Sequence, residues 1–449
     1  MWGSPPCYTI ELLTLSLAKN TPRNSSPILD CTQNYISAVS WLEKESLAYI
    51  SNVDGKTEVK ELSISSKELK SIYKENGENP YDLAYSRTKK KLAILQENLA
   101  RLRSVVILNR DSGAETLIAL QGENQNQQYG WSGISWHPTK DVLLTAIKHS
   151  LFEITLDGEF TEHPFPTYQG IYDPAYHPDG RQITATLGIA DYDVRELTWG
   201  DNQETQSRSL YRSIVVDGYA KYQPYSDGIA FISERSGRPQ LWYGNGESLK
   251  QISQLSGSEW LQSFAWSPQG KPLVVNINGQ LNLLNTRGEM EILAHSFKVL
   301  DIYQWGSDNE ILLSILKDKH AELVHFNIVS GDVKTVYQGA IRWAQVDEQQ
   351  NYYFSDVKGV LHTIAHGETL AKLISLESVI HNRFFVSNGS LVFSDDKGVA
   401  WQYWPATKRI KPLNHPESLP IRLDDVDTSN MRLLSMHHIS RRKEVVVFH

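Results

Sequence analysis

Acid–base and metal chemistry need histidines and carboxylates at defined spacings, and this sequence offers few such patterns. His437 and His438 are adjacent, so on a strand their side chains point to opposite faces and cannot bind one metal ion together. The run Asp424-Asp425-Val426-Asp427 is rich in carboxylates, but it lacks the spacing and central glycine of a calcium loop. The sequence therefore predicts a solvated turn at 424–427 and no metal site.

Two other histidines share one sequence context. His137 and His177 each follow an aromatic residue and precede a proline. Because the slot recurs within similar stretches of sequence, we predict that both histidines stabilise a turn.

Nucleophilic and phosphate chemistry have no recognisable motif. The sequence contains no His-Glu-x-x-His, no Gly-x-Ser-x-Gly and no glycine-rich phosphate loop. We therefore predict no catalytic residue, no cofactor and no metal, and a binding or sensing role rather than an enzymatic one.

Charge and hydropathy limit the partners. The formal net charge is −8, which disfavours a general nucleic-acid surface, because such a surface needs excess lysine and arginine. We interpret the short basic runs at 87–91 and 441–443 as solvated hairpins. No apolar run is long enough to cross a bilayer, so we predict no membrane span in this chain. The partner is expected to be a protein or a small molecule of unknown identity.

The sequence has two cysteines, Cys7 and Cys31. Two thiols are too few for a disulfide scaffold or a four-cysteine zinc site. In an oxidising compartment they could form one disulfide, and otherwise they are two free thiols.

The elements that would position any site come from an internal repeat of an apolar-aromatic pair, a turn and an alternating strand. The aromatic residues of the clear copies lie roughly 40 to 50 residues apart, as in propeller blades. These predicted blade anchors are Trp41, Tyr85, Trp136, Tyr176, Tyr222, Trp266 and Trp305. Weaker copies follow near Trp343, Phe384 and Val426.

Each copy predicts a four-stranded antiparallel sheet. The turns contain Pro, Asp and Gly, which favour tight turns, and the following residues alternate with period two. In FISERSGRPQLWY from Phe231, Ser236-Gly237 marks a second hairpin. Residues 64–75 have some helical character, but their register with the other copies predicts a hairpin.

We therefore predict an all-β propeller of about ten repeats, with seven or eight full blades or two tandem rings as alternatives. Residues 1–36 would form a lead and residues 37–449 the propeller. Because exposed strand edges invite aggregation, we expect the strand Tyr8–Leu17 to complete the last blade and close the ring.

Three stretches resemble the TolB-like propeller repeat family: Ala175–Leu187, Lys221–Ile252 and Phe264–Leu284. The family's usual form is an aromatic-Ser-Pro-Asp-Gly turn, an apolar strand and a Ser-x-Arg-x-Gly hairpin that leads to an aromatic residue. This resemblance is specific for fold and unspecific for function.

The resemblance implies three settings. Such propellers occur in periplasmic scaffold proteins, in the substrate-gating part of prolyl-oligopeptidase-like hydrolases, and in the extracytoplasmic half of CadC/ToxR-like membrane-anchored transcription regulators. The third setting implies a ligand-sensing or protein-interaction domain with a membrane tether and a DNA-binding part upstream. It favours a periplasmic or extracytoplasmic location. Residues 1–20 have no basic segment typical of a signal peptide, so the cytoplasm stays an alternative.

Overall fold

The chain is all-β throughout the residues that the computed structural model describes. These are residues 8–448 apart from 15–23, 33–34, 54–55, 75–77, 99–101, 120–130, 166–168, 200–204, 257–258, 307–308, 319, 357–358, 369–371, 374–382, 388, 396–398 and 414–421. They contain 39 strands and no helix, and hence no helix that could span a membrane. The contacts divide the chain into two compact units, unit 1 (Met1–Gly188 and Lys443–His449) and unit 2 (Ile189–Arg442).

Unit 1 begins with a two-stranded hairpin, followed by three four-stranded antiparallel sheets. Its strands are β1 (Tyr8–Thr14), β2 (Asn24–Thr32), β3 (Tyr35–Glu43), β4 (Ser46–Val53), β5 (Lys56–Ser63), β6 (Leu69–Lys74), β7 (Glu78–Ser86), β8 (Lys91–Asn98), β9 (Arg103–Asn109), β10 (Glu115–Ile118), β11 (Trp131–Trp136), β12 (Val142–Ile147), β13 (Ser150–Thr155), β14 (Phe160–Pro164), β15 (Gly170–Tyr176) and the first part of β16 (Ile183–Trp199).

Unit 2 continues with β17 and five four-stranded antiparallel sheets. Its strands are β17 (Thr205–Leu210), β18 (Asp217–Tyr222), β19 (Ile229–Ser233), β20 (Gln240–Asn245), β21 (Ser248–Gln251), β22 (Leu261–Trp266), β23 (Pro272–Ile277), β24 (Gln280–Asn285), β25 (Met290–Ile292), β26 (Lys298–Trp305), β27 (Glu310–Lys317), β28 (His320–Asn327), β29 (Val333–Gln338), β30 (Ile341–Val346), β31 (Tyr352–Asp356), β32 (Leu361–Ile364), β33 (Lys372–Leu373), β34 (Phe384–Ser387), β35 (Ser390–Ser394), β36 (Ala400–Trp404), β37 (Arg409–Pro412), β38 (Arg422–Asp427) and most of β39 (Arg432–Phe448).

Every repeat found in the sequence starts at an outer strand of a sheet. The ten copies start at β3, β7, β11, β15, β18, β22, β26, β30, β34 and β38, which are called first strands below. Residues 64–68 form the turn before β6, so the predicted hairpin at 64–75 is confirmed. The all-β propeller architecture of four-stranded blades is likewise confirmed, since each first strand except β15 and β38 leads a sheet in which consecutive strands are neighbours.

In unit 1, β15 pairs with the first part of β16, whereas in unit 2, β38 pairs with β39 and β17 pairs with the second part of β16. Both β16 and β39 are 17 residues long, and the division between the units falls inside each of them. In unit 2 the closing sheet therefore runs β38-β39-β16-β17, so its two outer strands come from the beginning of the unit. A backbone hydrogen bond of 3.0 Å from Trp199 N to Met431 O ties the two ends together.

This arrangement closes unit 2 into a ring of six blades. Apolar residues are buried between successive sheets, as in the cluster of Leu241, Phe264 and Leu273 between the sheets led by β18 and β22. The last first strand, β38, packs against the earliest one of the unit, β18. The predicted closure by Tyr8–Leu17 is wrong, because β1 pairs with β2 and the last strand of the chain pairs with β38 and β16. The outer strand that completes the closing sheet is β17. The sequence did not predict this strand, because a polar segment that is typical of a loop precedes it.

The first strands carry a repeated irregularity. Among the described strands, nine of the ten first strands shift register once or twice against the second strand. Such a bulge leaves a backbone N–H without a partner in the ladder. In unit 1, the N–H of Ile134 follows Gly133, whose φ is 69°, and donates to Asp82 on the preceding first strand over 2.9 Å.

The predicted anchors lie at or near the ends of the first strands, and most of them reach back to the preceding sheet. The indole N–H of Trp136 donates to Ala84 O over 3.0 Å, and that of Trp266 donates to Lys221 O over 3.3 Å. Tyr85 donates to Glu43 over 2.9 Å. Trp41 differs: its sheet follows only the β1–β2 hairpin among the described residues, and 49% of its surface is exposed.

The remaining anchors also contact the sheet that precedes their own. Tyr176 packs edge-on against His137 of the preceding sheet, with ring centroids 4.8 Å apart. Trp305 is buried in a cluster with Ala265 and Val274. Tyr222, which begins the six-bladed ring, lies beneath the guanidinium of Arg432 from the closing sheet, 4.5 Å from the ring centroid.

The prediction for the turn histidines is confirmed. The Nδ1 atom of His137 accepts the N–H groups of Thr139 and Lys140 at 3.2 and 3.0 Å, and that of His177 accepts Asp179 N at 3.3 Å. Each imidazole thus supplies the acceptor that a serine or aspartate side chain gives in such turns.

Replacing Trp266 with alanine should lower the free energy of unfolding by about 3–5 kcal/mol, because a buried indole and its bond to the neighbouring blade are lost. The half-exposed Trp41 is the matched control, and Trp41→Ala should cost less than about 1 kcal/mol. Guanidinium titration of both variants would measure this difference, and equal losses would contradict the assignment of Trp266 as a wedge between blades.

Candidate functional site

The first strands of unit 2 bring polar side chains together inside the ring. Tyr219 and Lys221 alternate with buried residues on β18, and Asp301 lies on β26. Trp343 lies on β30, directly across the ring from β18, and the Lys221 ammonium lies 5.5 Å from its ring centroid. Together with Arg383, Arg422, Asp424 and Asp425, these residues form what we call the central cluster.

The carboxylates of the central cluster close the ring. Asp424 Oδ2 accepts Ala220 N at 3.1 Å, and Asp425 Oδ2 accepts Tyr222 N at 2.8 Å. Asp425 Oδ1 also accepts the N–H of its neighbour Val426 at 3.0 Å. Both acceptors lie on β38 and both donors lie on β18, so these bonds join the first and last blades of unit 2.

The prediction of a solvated turn at 424–427 is wrong. Residues 422–427 form β38, Asp424 is fully buried, and the turn comes later, at 428–431. Consecutive charges looked like a turn, but here they satisfy N–H groups on the bulged strand β18. The run at 441–443 was also misplaced, because it lies within β39 rather than in a hairpin.

Three cations surround two aromatic rings in the cluster. The Arg383 guanidinium lies 4.6 Å from the centroid of Trp343 and 5.0 Å from that of Tyr219. Arg422 lies 4.1 Å from the Tyr219 centroid. Asp424 Oδ1 lies 3.6 Å from Arg383 Nη1 and 4.0 Å from Arg422 Nε. These are ion pairs in geometry, but too long for hydrogen bonds.

Burial shifts the pKa values of three groups inside the ring towards the neutral forms, whereas the charge of Asp424 and the Tyr219 hydroxyl raise the pKa of Arg422 against its desolvation. Desolvation lowers the pKa of Lys221 to about 8, and the nearby charge of Arg383 adds to that effect. Desolvation also raises the pKa of Asp425 to about 6, although Lys221 and two backbone N–H groups oppose the rise. The pKa of Arg383 is lowered for the same reason. Close to neutral pH the cluster therefore holds groups near their titration points.

Next to the cluster, a cleft of about 660 Å³ opens where the first and last blades of unit 2 meet. Its two walls are Tyr222–Asp227, from the turn after β18, and Asp425–Asn430 with Arg432, from β38 and the turn after it. Ser387 completes the lining. We call this feature the seam cleft.

The side chains of the seam cleft are held in place by one another. Arg432 Nε donates to Asp427 over 2.9 Å, and Arg432 Nη1 lies 3.3 Å from the exposed Asp227. Asn430 donates to the same Asp427 carboxylate over 2.7 Å, which together with Arg432 lowers the pKa of Asp427. Tyr225, 96% exposed, stands at the rim. The cleft thus presents hydroxyl, amide and carboxylate groups around one fixed arginine.

The arginine of the Ser-x-Arg-x-Gly hairpin has a structural role. Arg235 donates to the buried Asp217 over 2.8 Å and to Tyr211 O over 2.7 Å. Its guanidinium also lies between the rings of Phe231 and Trp242, at 5.3 and 5.1 Å. This motif therefore stabilises its own blade and does not reach the central cluster or the cleft.

The other sequence candidates lie elsewhere. His437 and His438 are on β39, where His438 contacts Tyr192 edge-on. Cys7 lies outside the described residues, so the possible pairing of Cys7 with Cys31 stays a prediction. Of the predicted anchors, only Tyr222 lines the seam cleft.

The central cluster was missed because its members are scattered over five repeats. Lys221 directly precedes the anchor Tyr222, and Arg383 directly precedes Phe384 in a weak copy. A charged residue directly before the aromatic position, where most of the clear copies carry serine or alanine, was the available signal.

Acidification should stabilise the protein relative to an Asp425→Asn variant. The pKa of Asp425 is raised from 3.8 in the unfolded chain to about 6, so the native state binds the extra proton between these values. The stability that this carboxyl contributes is present at low pH and is lost as pH rises through 6. The advantage of the wild type over Asp425→Asn should therefore shrink by about 2 kcal/mol between pH 4.5 and 6.5.

Urea titrations at the two pH values would measure this change in advantage. Lys221 stays charged over that range, since its pKa is about 8. An advantage that grew with pH would show that Asp425 is ionised without strain in the folded protein.

Among the described residues, no group of three or more His, Cys, Asp or Glu side chains is arranged to hold a metal ion.

No family model matches this chain. Solved structures similar to it include the tricorn protease, at 12% identity over 86% of this chain with a TM-score of 0.28. TolB from Acinetobacter baumannii matches at 11% identity over 74% of this chain with a TM-score of 0.27, and a putative TolB from Agrobacterium tumefaciens at 15% over 70% with a TM-score of 0.28. The chain spans 45%, 64% and 84% of these three proteins, respectively. Similarities at these scores indicate neither a family nor a function. The strand order of the sheets is what identifies the propeller.

Proposed function

We propose that this chain is a non-catalytic binding propeller that takes a protein segment or a small molecule in the seam cleft of unit 2. The observation that carries the proposal is the cleft itself: about 660 Å³, lined by two turns from opposite ends of one closed ring. Ligand sites are commonly concave, largely pre-formed and lined by a few fixed polar groups. A seam between two firmly joined blades meets that description.

The polar groups of the cleft suit recognition better than catalysis. Both oxygens of Asp425 accept backbone N–H groups, and Asp427 is occupied by Arg432 and Asn430. A general base or nucleophile needs a free lone pair directed at its substrate. Groups already fixed by neighbours instead offer a rigid hydrogen-bonding surface, which lowers the entropy lost on binding.

A Ser429→Trp variant tests the cleft. Ser429 is an exposed lining residue, so an indole there should fill the space without disturbing the blades. Ser330→Trp, at an exposed turn of another blade, is the matched control. Ligands would be selected on the wild type from random peptides and a set of metabolites, and their affinities measured by calorimetry.

We expect at least one ligand whose affinity falls tenfold or more in Ser429→Trp and is unchanged in Ser330→Trp. A ligand set that binds both variants like the wild type, or no ligand at all, would overturn the assignment of the cleft. Hydrolysis of the selected peptides by the purified chain would contradict the non-catalytic role.

The finer proposal is an extracytoplasmic sensor that forms part of a membrane-anchored transcription regulator. Its support is the sequence resemblance described above, and it is tested by the DNA that precedes the first codon. An in-frame winged helix and an apolar segment of about 20 residues would support it. A hydrolase domain adjoining the propeller would favour the substrate-gating alternative instead.

A further inference from the structure

Arg383 is an anomaly in the ring of unit 2. Only 14% of its side chain is exposed, and its guanidinium makes no hydrogen bond with any described residue. The nearest carboxylate oxygen, Asp424 Oδ1, is 3.6 Å from Nη1 and itself has no hydrogen-bond partner among the described residues. Burying a charged group without hydrogen bonds is strongly unfavourable.

Two more cations stand beside Arg383. Lys221 and Arg422 are near enough for their charges to interact with it, and each of the two neighbouring pairs is mutually repulsive. The Lys221 ammonium makes an aromatic contact with Trp343 and no hydrogen bond to a described residue. The repulsion among the three cations adds to the cost of burying them, and the nearby carboxylates offset it only in part.

The carboxylates of the cluster compensate these charges at a distance, but no hydrogen bond joins them to the three cations. Asp425 uses both oxygens on backbone N–H groups, Asp424 uses Oδ2 on Ala220 N, and Asp301 accepts its neighbour's N–H at 3.0 Å. These bonds hold the acceptors against the strands. Among the described residues, Arg383 Nη1 and the Lys221 ammonium therefore lack a hydrogen-bond acceptor, whereas Arg422 bonds to the Tyr219 hydroxyl.

We propose that the ring centre of unit 2 binds an oxyanion, the carboxylate or phosphate group of a small molecule, through Lys221, Arg383 and Arg422. Guanidinium groups bind such anions bidentately, and stacking on Tyr219 and Trp343 fixes the planes of the two arginines. Arg422 keeps 35% of its side chain exposed, so this arginine is reachable from solvent.

This site goes beyond the proposed function of the seam cleft, because none of its three cations lines that cleft. Asp425 is the one residue of the central cluster that borders both. Occupation of the ring centre and of the cleft can therefore be measured separately.

The test is calorimetric titration of the full chain with inorganic phosphate and with succinate at constant ionic strength, using chloride as the control salt. We expect saturable binding of at least one of the two anions to the wild type, and the anion that binds tells whether phosphate or carboxylate is the preferred group. Arg383→Met and Lys221→Met should each weaken it tenfold or more. Arg287→Met, which removes an exposed arginine of unit 2, should leave the affinity unchanged.

Arg383→Met replaces a buried charge that makes no hydrogen bond with an apolar side chain of similar length, so this variant should fold. If it does not fold, Lys221→Met decides the test. The proposal is overturned if neither anion binds the wild type saturably, or if Arg287→Met weakens binding as much as the two ring variants. It is equally overturned if both ring variants bind like the wild type. If the wild type binds a Ser429-sensitive ligand but neither anion, only this inference is wrong. If it binds an anion through the ring cations but no Ser429-sensitive ligand, only the function proposed for the cleft is wrong.

Discussion

The structure depends on how one blade satisfies the backbone of the next. A bulge in a first strand releases an N–H from the ladder, and a buried N–H without an acceptor is strongly unfavourable. In unit 1, Asp82 supplies the acceptor to Ile134. In unit 2, Asp424 supplies it to Ala220. An aspartate that accepts a bulge N–H thus joins neighbouring blades in unit 1 and the first and last blades in unit 2.

The joining of the ends has a chemical consequence. The closure places two aspartates in the interior of unit 2, where burial raises the pKa of Asp425. Lys221, on the strand that receives the closing bonds, and the arginines Arg383 and Arg422 bring positive charge to the same space. The ring centre is therefore a charged interior built on strands, which are more rigid supports than loops.

The closing seam also determines where the cleft can be. Turns of adjacent blades normally pack on each other, as Gly180 does on the His137 ring in unit 1. At the seam, the turn after β18 meets the turn after β38, and Arg432 bridges Asp227 and Asp427 across it. The cleft is the space left between turns that come from distant parts of the sequence.

The sequence by itself determined the local units. The spacing of the aromatic anchors, the turns that contain Pro, Asp and Gly, and the period-two alternation predicted the first strand of every blade. They also predicted the hairpin at 64–75 and the turn role of His137 and His177. Each of these features depends on residues a few positions apart. Only the tertiary structure decided how the units join. Which strand closes a ring depends on contacts between residues some 200 positions apart. The sequence pattern of β16 would be the same whichever strand pairs with it.

For the same reason, the side chains of the central cluster could not be recognised as a group. Asp424 and Asp425 looked like a solvated turn because two adjacent carboxylates are usually exposed, and only their contacts with β18 explain their burial. Trp41 matches Trp266 in sequence, yet it is half exposed because no earlier first strand precedes it among the described residues. Local pattern fixes what a residue can do, and the neighbours supplied by the fold decide what it does.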